Sequence, residues 1–208
     1  MHNDQEEFWK GSFGDSYTER ISPEKLISAN LYLFGRIFKS LGKCNSIVEL
    51  GCNIGLNLVA INQLMPECRL AGVEINVKAL IKLKKMLPTV EDIDCSLLKF
   101  DPKEKFDLSF TKGVLIHILP EDLPAAYASL YNASNKYILI AEYYNPEPTE
   151  IVYRGHKNRL FKRDFCKEIS EIYDDVELID YGFIYKRDPK FPQDDLNWFL
   201  MKKTDRRV

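Results

Sequence analysis

The chain reads Ile47-Val48-Glu49-Leu50-Gly51-Cys52-Asn53-Ile54-Gly55-Leu56-Asn57 where its local structure is most clearly encoded. A β-branched apolar run ends at an acid, two glycines follow four residues apart, and an apolar helical pattern begins. These are the features of a strand, a tight turn and a helix N-terminus, which together present backbone N–H groups and a helix dipole to a ligand. We therefore expect a ligand to bind at this turn.

A second acid lies where the next strand is expected to end. The apolar run Leu70-Ala71-Gly72-Val73 leads into Glu74, twenty-three residues after Gly51. An acid at the end of the second strand is placed to accept hydrogen bonds from ribose hydroxyls. The turn and the acid together predict a site for a nucleoside-bearing cofactor.

The glycine spacing distinguishes between classes of cofactor. A dinucleotide-binding turn reads G-x-G-x-x-G, but its two later glycines are replaced here by Asn53 and Leu56. A P-loop is excluded because no Gly-Lys-Ser/Thr follows. The order Glu49-x-Gly51-x-Asn53-x-Gly55 resembles the first motif of S-adenosylmethionine-dependent methyltransferases, E/D-x-G-x-G-x-G. Asn53 departs from that motif, although asparagine tolerates a positive φ better than most residues. The alternative is a glycine turn that only packs a helix on a sheet.

The composition is that of one soluble domain, since 45% of the 208 residues are apolar and 29% are charged. A net charge of −2 gives no general attraction to nucleic acid or to an anionic membrane. No apolar run reaches the length of a membrane span, and the N-terminus is acidic where a secretory signal would be basic. Five scattered cysteines indicate reduced thiols. We expect a cytoplasmic protein without a nucleic-acid partner, membrane partner or metal site, and the oligomeric state stays open.

Alternating strands and helices predict an α/β fold. Helices are expected over 23–41, 55–65, 77–87, a stretch after 120–122, and 163–173. Strands are expected over 46–50, 69–74, 92–97, 106–111 and 136–142. Two further β-rich stretches, 176–187 and 196–203, have no long helix between them and should pair antiparallel. The expected architecture is a doubly wound, mostly parallel seven-stranded sheet with a C-terminal antiparallel strand pair, the Rossmann-like methyltransferase fold, in a single domain over 1–208.

Two segments outside this pattern are expected to flank the site. Residues 8–20 hold four aromatic residues and two glycines, a composition that folds onto a domain rather than staying solvated. We predict that residues 1–21 form an N-terminal lid with Trp9, Tyr17 and Arg20 at the cofactor; plain capping of the sheet edge is the alternative. Residues 143–162 form an irregular loop on the substrate side.

Ligands in such sheets bind at the carboxyl ends of the strands. Ser96 and Leu97 follow the third strand, where an adenine would lie, and Lys112 follows the fourth, where it can bind a carboxylate or remain a solvated surface lysine. The predicted cofactor-binding residues of the sheet are Glu49, Gly51, Asn53, Gly55, Glu74, Ser96, Leu97, Thr111 and Lys112.

Candidate catalytic residues lie after the fourth and fifth strands. His117 is the leading candidate for a base because an ordinary imidazole pKa suits proton removal, and Tyr143 and His156 are further candidates. A histidine that only holds a backbone carbonyl is the alternative for His117. Positions 154–163 carry six basic or titratable side chains, which predict an acidic substrate or, alternatively, a charged surface paired with nearby acids. The predicted substrate-binding residues are Tyr144, Arg154 and Arg159.

Motifs along nearly the whole chain resemble those of the pseudaminic acid biosynthesis-associated methylases. They are Phe8-Trp9-x-Gly11-x-Phe13-Gly14-Asp15-x-Tyr17, Glu49-Leu50-Gly51-Cys52-Asn53-Ile54-Gly55, Lys112-Gly113-Val114-Leu115-Ile116-His117-Ile118, Ala141-Glu142-Tyr143-Tyr144-Asn145-Pro146, Tyr153-Arg154-Gly155-His156, and Phe191-Pro192-Gln193-Asp194-Asp195 with Trp198-Phe199-Leu200. The resemblance implies an S-adenosylmethionine-dependent methyltransferase that acts on a small, anionic, sugar-derived acceptor. Two alternatives stay open: methylation of RNA or another macromolecule, and a non-catalytic protein that binds the cofactor.

Overall fold

Nine strands and seven helices account for most of the computed structural model, which describes residues 4–19, 23–155 and 158–204. The strands are β1 (Ser46–Leu50), β2 (Arg69–Glu74), β3 (Glu91–Asp94), β4 (Phe106–Lys112), β5 (Ser134–Glu142), β6 (Thr149–Glu150), β7 (Phe161–Lys162), β8 (Val176–Ile184) and β9 (Leu196–Lys203). The helices are α1 (Asp4–Lys10), α2 (Ser12–Glu19), α3 (Pro23–Ile37), α4 (Leu56–Leu64), α5 (Val77–Met86), α6 (Leu123–Ala133) and α7 (Phe165–Ile172).

Seven of the strands form one sheet in the order β3-β2-β1-β4-β5-β9-β8. The first five are parallel, whereas β9 pairs antiparallel with both β5 and β8. The predicted doubly wound sheet and its C-terminal antiparallel pair are therefore confirmed. The order reverses between β1 and β4, so the carboxyl ends of these two strands open the crevice in which such sheets bind ligands.

Apolar side chains on both faces of the sheet explain why helices cover it on two sides. Ile47 packs into a cluster with Phe34 of α3, Ile61 of α4 and Leu83 of α5. Val48, the next residue along β1, points to the opposite face and packs into the cluster that includes α6 and α7. Successive residues of a strand face opposite sides, so a continuous apolar strand requires a helical layer on each.

Most element boundaries agree with the sequence within a few residues, and the differences have local causes. The helix predicted to reach residue 41 is α-helical to Ile37 and continues as a 3₁₀ turn over Phe38–Ser40. The strand predicted over 92–97 ends at Asp94, because the Ser96 hydroxyl accepts a hydrogen bond from the Leu98 N–H at 3.1 Å and begins a short 3₁₀ helix. The loop 143–162 is less irregular than predicted, since β6 and β7 pair within it.

The turn after β1 has the left-handed backbone that its glycines suggest. Gly51, Asn53 and Gly55 have φ values of 79°, 49° and 78°. Gly55 also caps α4, and a Cβ there would lie 2.1 Å from Cδ1 of the buried Leu83. Gly55 is thus required both for a conformation that other residues adopt rarely and for the close approach of the turn to Leu83 of α5.

Candidate functional site

A cavity of about 170 Å³ lies at the carboxyl ends of β1, β2, β3 and β4, beneath the N-terminal helices α1 and α2. The crevice predicted from the sequence is present at this place. The predicted residues that line the cavity are Trp9, Tyr17, Gly51, Asn53, Glu74, Ser96, Leu97, Lys112 and His117. Its wall also includes polar side chains that the sequence analysis did not assign to a site, among them Gln5, Glu6 and Asp122.

The remaining predicted residues lie apart from the cavity wall or serve structural contacts. Thr111 is buried and donates to the Leu50 carbonyl at 3.1 Å, and Gly55 serves helix packing. Tyr144 is 38% exposed, and Arg154 is exposed with its guanidinium 5.6 Å from the centre of the Tyr153 ring. Two predicted residues, Arg20 and His156, lie outside the described residues.

The carboxylate of Glu74 joins the glycine turn to the start of α5. Its Oε2 accepts from the Asn53 N–H at 2.8 Å, and its Oε1 accepts from the N–H groups of Ile75 and Asn76, each at 2.9 Å. Burial raises the pKa of Glu74, and these three hydrogen bonds oppose that rise. A carboxylate offers about four acceptor positions, so Glu74 keeps capacity for a ligand hydroxyl.

Glu49 lies beneath the turn with one oxygen unsatisfied. Its side chain is fully buried, Oε1 accepts from Asn57 Nδ2 at 2.5 Å, and Oε2 has no partner among the described residues. Burial raises the pKa of Glu49 to about 8, against the lowering effects of Asn57 and Lys112. The side-chain oxygen of Asn53 is likewise buried without a described partner. Buried acceptors of this kind are costly in an empty site and favourable toward a ligand that donates hydrogen bonds.

Glu142 is a buried acid at the end of β5, to which the sequence analysis gave no binding or catalytic role. Its Oε1 accepts from the N–H groups of Val114 and Leu115, each at 2.9 Å, and its Oε2 has no partner among the described residues. Burial raises its pKa to about 7. Glu142 therefore fixes the short turn between β4 and His117. Its position at the end of the strand predicted over 136–142 is the sequence signal from which this role could have been predicted.

Lys112 is the cation between these acids. It ends β4, the strand between β1 and β5, and so lies between Glu49 and Glu142, whose charges act on it. Burial is the main influence on Lys112 and lowers the pKa of its ammonium group. A partly desolvated lysine at the cavity wall suits the binding of a ligand carboxylate better than the role of a solvated surface lysine.

His117 lines the cavity as a neutral imidazole with a defined tautomer. Its Nδ1 lies 2.6 Å from the carbonyl oxygen of Arg159, and because a carbonyl only accepts, Nδ1 carries the proton. Burial lowers the pKa of His117 to about 4. The Nε2 lone pair is thus available at neutral pH, but it is a weak base. His117 is therefore better suited to accept a hydrogen bond from a ligand than to remove the proton of that ligand completely. Tyr143 stays protonated, since burial and the nearby Asp194 raise its pKa.

The N-terminal helices are held over the cavity by polar contacts with α5 and with the segment after β3. Asn76, at the start of α5, donates to the Trp9 carbonyl at 3.3 Å, and Lys78 pairs with Asp15 at 2.5 Å. Ser96, after β3, donates its hydroxyl hydrogen bond to Glu6. These contacts exclude a solvated tail and place the N-terminal aromatic residues above the crevice rather than at a sheet edge.

Two kinds of feature are absent from the described ranges 4–19, 23–155 and 158–204. In these ranges no three histidine, cysteine, aspartate or glutamate side chains converge where a metal ion would fit. Every helix within them is too short or too polar to serve as a membrane span.

Solved structures share this fold, whereas no protein-family model and no curated protein sequence matches the chain. A SAM-dependent methyltransferase from Leishmania major is 16% identical, with 97% of this chain and 87% of that one covered and a TM-score of 0.72. Magnesium protoporphyrin IX methyltransferase from Synechocystis, with bound SAM, is 11% identical over 98% and 99% of the two chains, with a TM-score of 0.69.

An amino pentose methyltransferase of calicheamicin biosynthesis from Micromonospora echinaspora, also with SAM bound, is a third similar structure. It is 12% identical over 92% of this chain and 95% of that one, with a TM-score of 0.63. At these identities the similarity establishes the fold of the chain, the Rossmann-like methyltransferase fold.

Glu49 and Glu142 make the free energy of unfolding depend on pH. In the folded chain their pKa values are about 8 and about 7, above the ordinary 4.5, so the folded state binds more protons than the unfolded state. The free energy of unfolding therefore falls as the pH rises from about 5 to 8. We expect Glu49→Gln to reduce this fall by about 1–3 kcal/mol in urea unfolding at pH 5.5 and pH 8. Glu67→Gln, at an exposed acid, is the control. If the free energy of unfolding depended equally on pH in the Glu49 variant and in the wild type, the raised pKa of Glu49 would be contradicted.

Proposed function

We propose that the protein transfers a methyl group from S-adenosylmethionine to a small, anionic, sugar-derived acceptor. The observation that carries the proposal is a left-handed glycine turn at one cavity, together with two acids that have spare acceptor capacity: Glu74 in the cavity wall and the buried Glu49 at the end of β1, next to the turn. The fold agrees with this function, and the chemistry of the site supports it independently.

The residues of the cavity wall, together with the buried Glu49 next to the turn, fit the parts of the cofactor. An α-ammonium group suits the unsatisfied oxygen of Glu49, whose ionisation it would favour, and ribose hydroxyls suit Glu74. An adenine ring suits the apolar surface of Leu97 and its neighbour Leu98, beside the Ser96 hydroxyl. The carboxylate of the cofactor suits the Lys112 ammonium group.

The bound cofactor supplies an activated methyl group on its sulfonium, so the protein need not provide a nucleophile. The task of the chain is to hold the acceptor in line, and such orientation contributes up to about 7–11 kcal/mol. His117 can accept a hydrogen bond from the acceptor's hydroxyl or ammonium through Nε2. Tyr143 and His156 are the further candidates for this role.

The N-terminal helices are proposed to act as a lid, with Trp9 and Tyr17 toward the cofactor. Their position over the cavity favours a small acceptor over RNA, because a polymer needs an open, basic groove. Glu168 and Gln5 already engage Arg163 and Arg159, so Arg154 is the cation of this loop that best supports binding of an anionic acceptor. The sugar origin of the acceptor rests on the resemblance to the pseudaminic acid-associated methylases, and one similar structure is an amino pentose methyltransferase.

Binding of S-adenosylmethionine tests the cofactor site directly. Isothermal titration should show that Glu74→Ala and Gly51→Arg each weaken binding by about 10-fold or more. The first variant removes a charge-assisted hydrogen-bond acceptor. The second places a long side chain where even a Cβ would lie 2.7 Å from Val114. Glu67→Gln should bind like the wild type. Wild-type affinity in both cavity variants would exclude this crevice as the cofactor site.

The acceptor is tested by incubating the protein with methyl-labelled cofactor and a fractionated small-molecule extract. We expect label in a compound of the anionic fraction, identified by mass spectrometry as a sugar derivative, with transfer reduced by roughly 10²-fold in His117→Asn. Label that appears only in RNA or protein would contradict the proposed acceptor class.

A further inference from the structure

We infer that Gln5 and Arg159 form a latch between the lid and the loop 143–162, and that closure of this latch sets the tautomer and orientation of His117. The inference rests on the proposed function, in which His117 meets the acceptor. Gln5 and Arg159 are positioning residues in this account, because they act through His117.

Gln5 is the lid side of the latch. Although it is a polar residue on α1, it is only 3% exposed. Its amide nitrogen donates to the Asn158 carbonyl at 2.9 Å, and its amide oxygen accepts from Arg159 Nη1 at 2.6 Å. Both ends of a buried amide are therefore used by two consecutive residues of one loop, an arrangement that only the docked lid satisfies.

Arg159 is the loop side, and it connects the lid to the imidazole. Its guanidinium binds Gln5 and lies 4.8 Å from the centre of the Phe8 ring, also on α1. Its carbonyl oxygen accepts the Nδ1 proton of His117 at 2.6 Å. One residue thus contacts the lid through its side chain and His117 through its main chain.

Aromatic contacts reinforce the same connection. The His117 ring packs between Trp9 of the lid, at 4.7 Å between centroids, and Tyr153 of the loop, at 5.0 Å. Phe13 of the lid lies 6.4 Å from Tyr153. Every described partner of the imidazole ring is therefore part of the lid or of the loop that the lid holds.

The consequence is an order of events at the site. With the latch open, His117 loses the fixed acceptor for its Nδ1 proton and becomes accessible to water, so its tautomer is no longer determined. With the latch closed, Nε2 is presented to the cavity as a lone pair. Closure over the bound ligands thus completes the site, a role that closing loops serve in other enzymes.

The test is nitrogen-15 NMR of the histidine side chains in the full chain, with the His117 signal assigned from His117→Asn. In the wild type we expect a single tautomer, protonated on Nδ1, and a pKa of about 4. Gln5→Ala and Arg159→Ala should mix the tautomers and move the pKa upward toward the ordinary 6.5. The other charged groups at the cavity wall, Glu6, Glu74, Lys112 and Asp122, are unchanged in these variants.

Lys10→Gln, at an exposed position of the same helix, is the matched control and should keep the wild-type His117 signals. Circular dichroism of each variant establishes that the sheet is folded. A single tautomer and an unshifted pKa in both folded latch variants would overturn the latch. Failure of the wild type to bind S-adenosylmethionine would instead count against the proposed function, because the NMR readout requires no cofactor.

Discussion

The carboxylate of Glu74 is the interaction on which the geometry of the site depends. It ends β2 and accepts backbone hydrogen bonds from Asn53 in the glycine turn and from the residues that begin α5. Asn76, held in this way, caps α5 through its side chain and also binds the lid. One side chain thereby fixes the glycine turn, α5 and the N-terminal helices relative to one another.

The sheet order adds an electrostatic constraint. Because β1, β4 and β5 are neighbours, their ends bring Glu49, Lys112 and Glu142 together in a region of low water access. Burial favours the neutral form of each group, which raises the pKa of both acids and lowers that of the lysine. A zwitterionic ligand would favour the charged forms of these three groups again, because it supplies partners of both signs. In the proposed function, this complementarity is the physical basis of cofactor recognition.

The sheet and much of the cavity wall were predictable because local patterns encode them. Apolar runs, prolines and glycines mark the strands and helices, and the carboxyl ends of parallel strands converge wherever such a sheet forms. Glu74 and Lys112, at the ends of β2 and β4, line the cavity as these patterns predict. Gly55 was predicted to bind the cofactor from the motif alone, although the contact with Leu83 gives that glycine a packing role.

Contacts between distant parts of the chain were not predictable in the same way. Gln5 and Glu6 belong to a short helix whose polar side chains give no sign that they reach residues after β3 and β5. Arg159 was expected to bind substrate because of its charge, whereas the structure engages its guanidinium with Gln5 and Phe8. Charge and spacing indicate which residues can recognise an anion, but only the tertiary structure shows which of them already have partners.

A crystal structure of the chain with S-adenosylhomocysteine tests the central claim most directly. The account predicts ribose hydroxyls on Glu74, the α-ammonium group on the unsatisfied oxygen of Glu49, and α1 and α2 closed over the ligand. A ligand bound elsewhere, or a cavity filled by protein side chains with Glu74 turned away from it, would contradict the account.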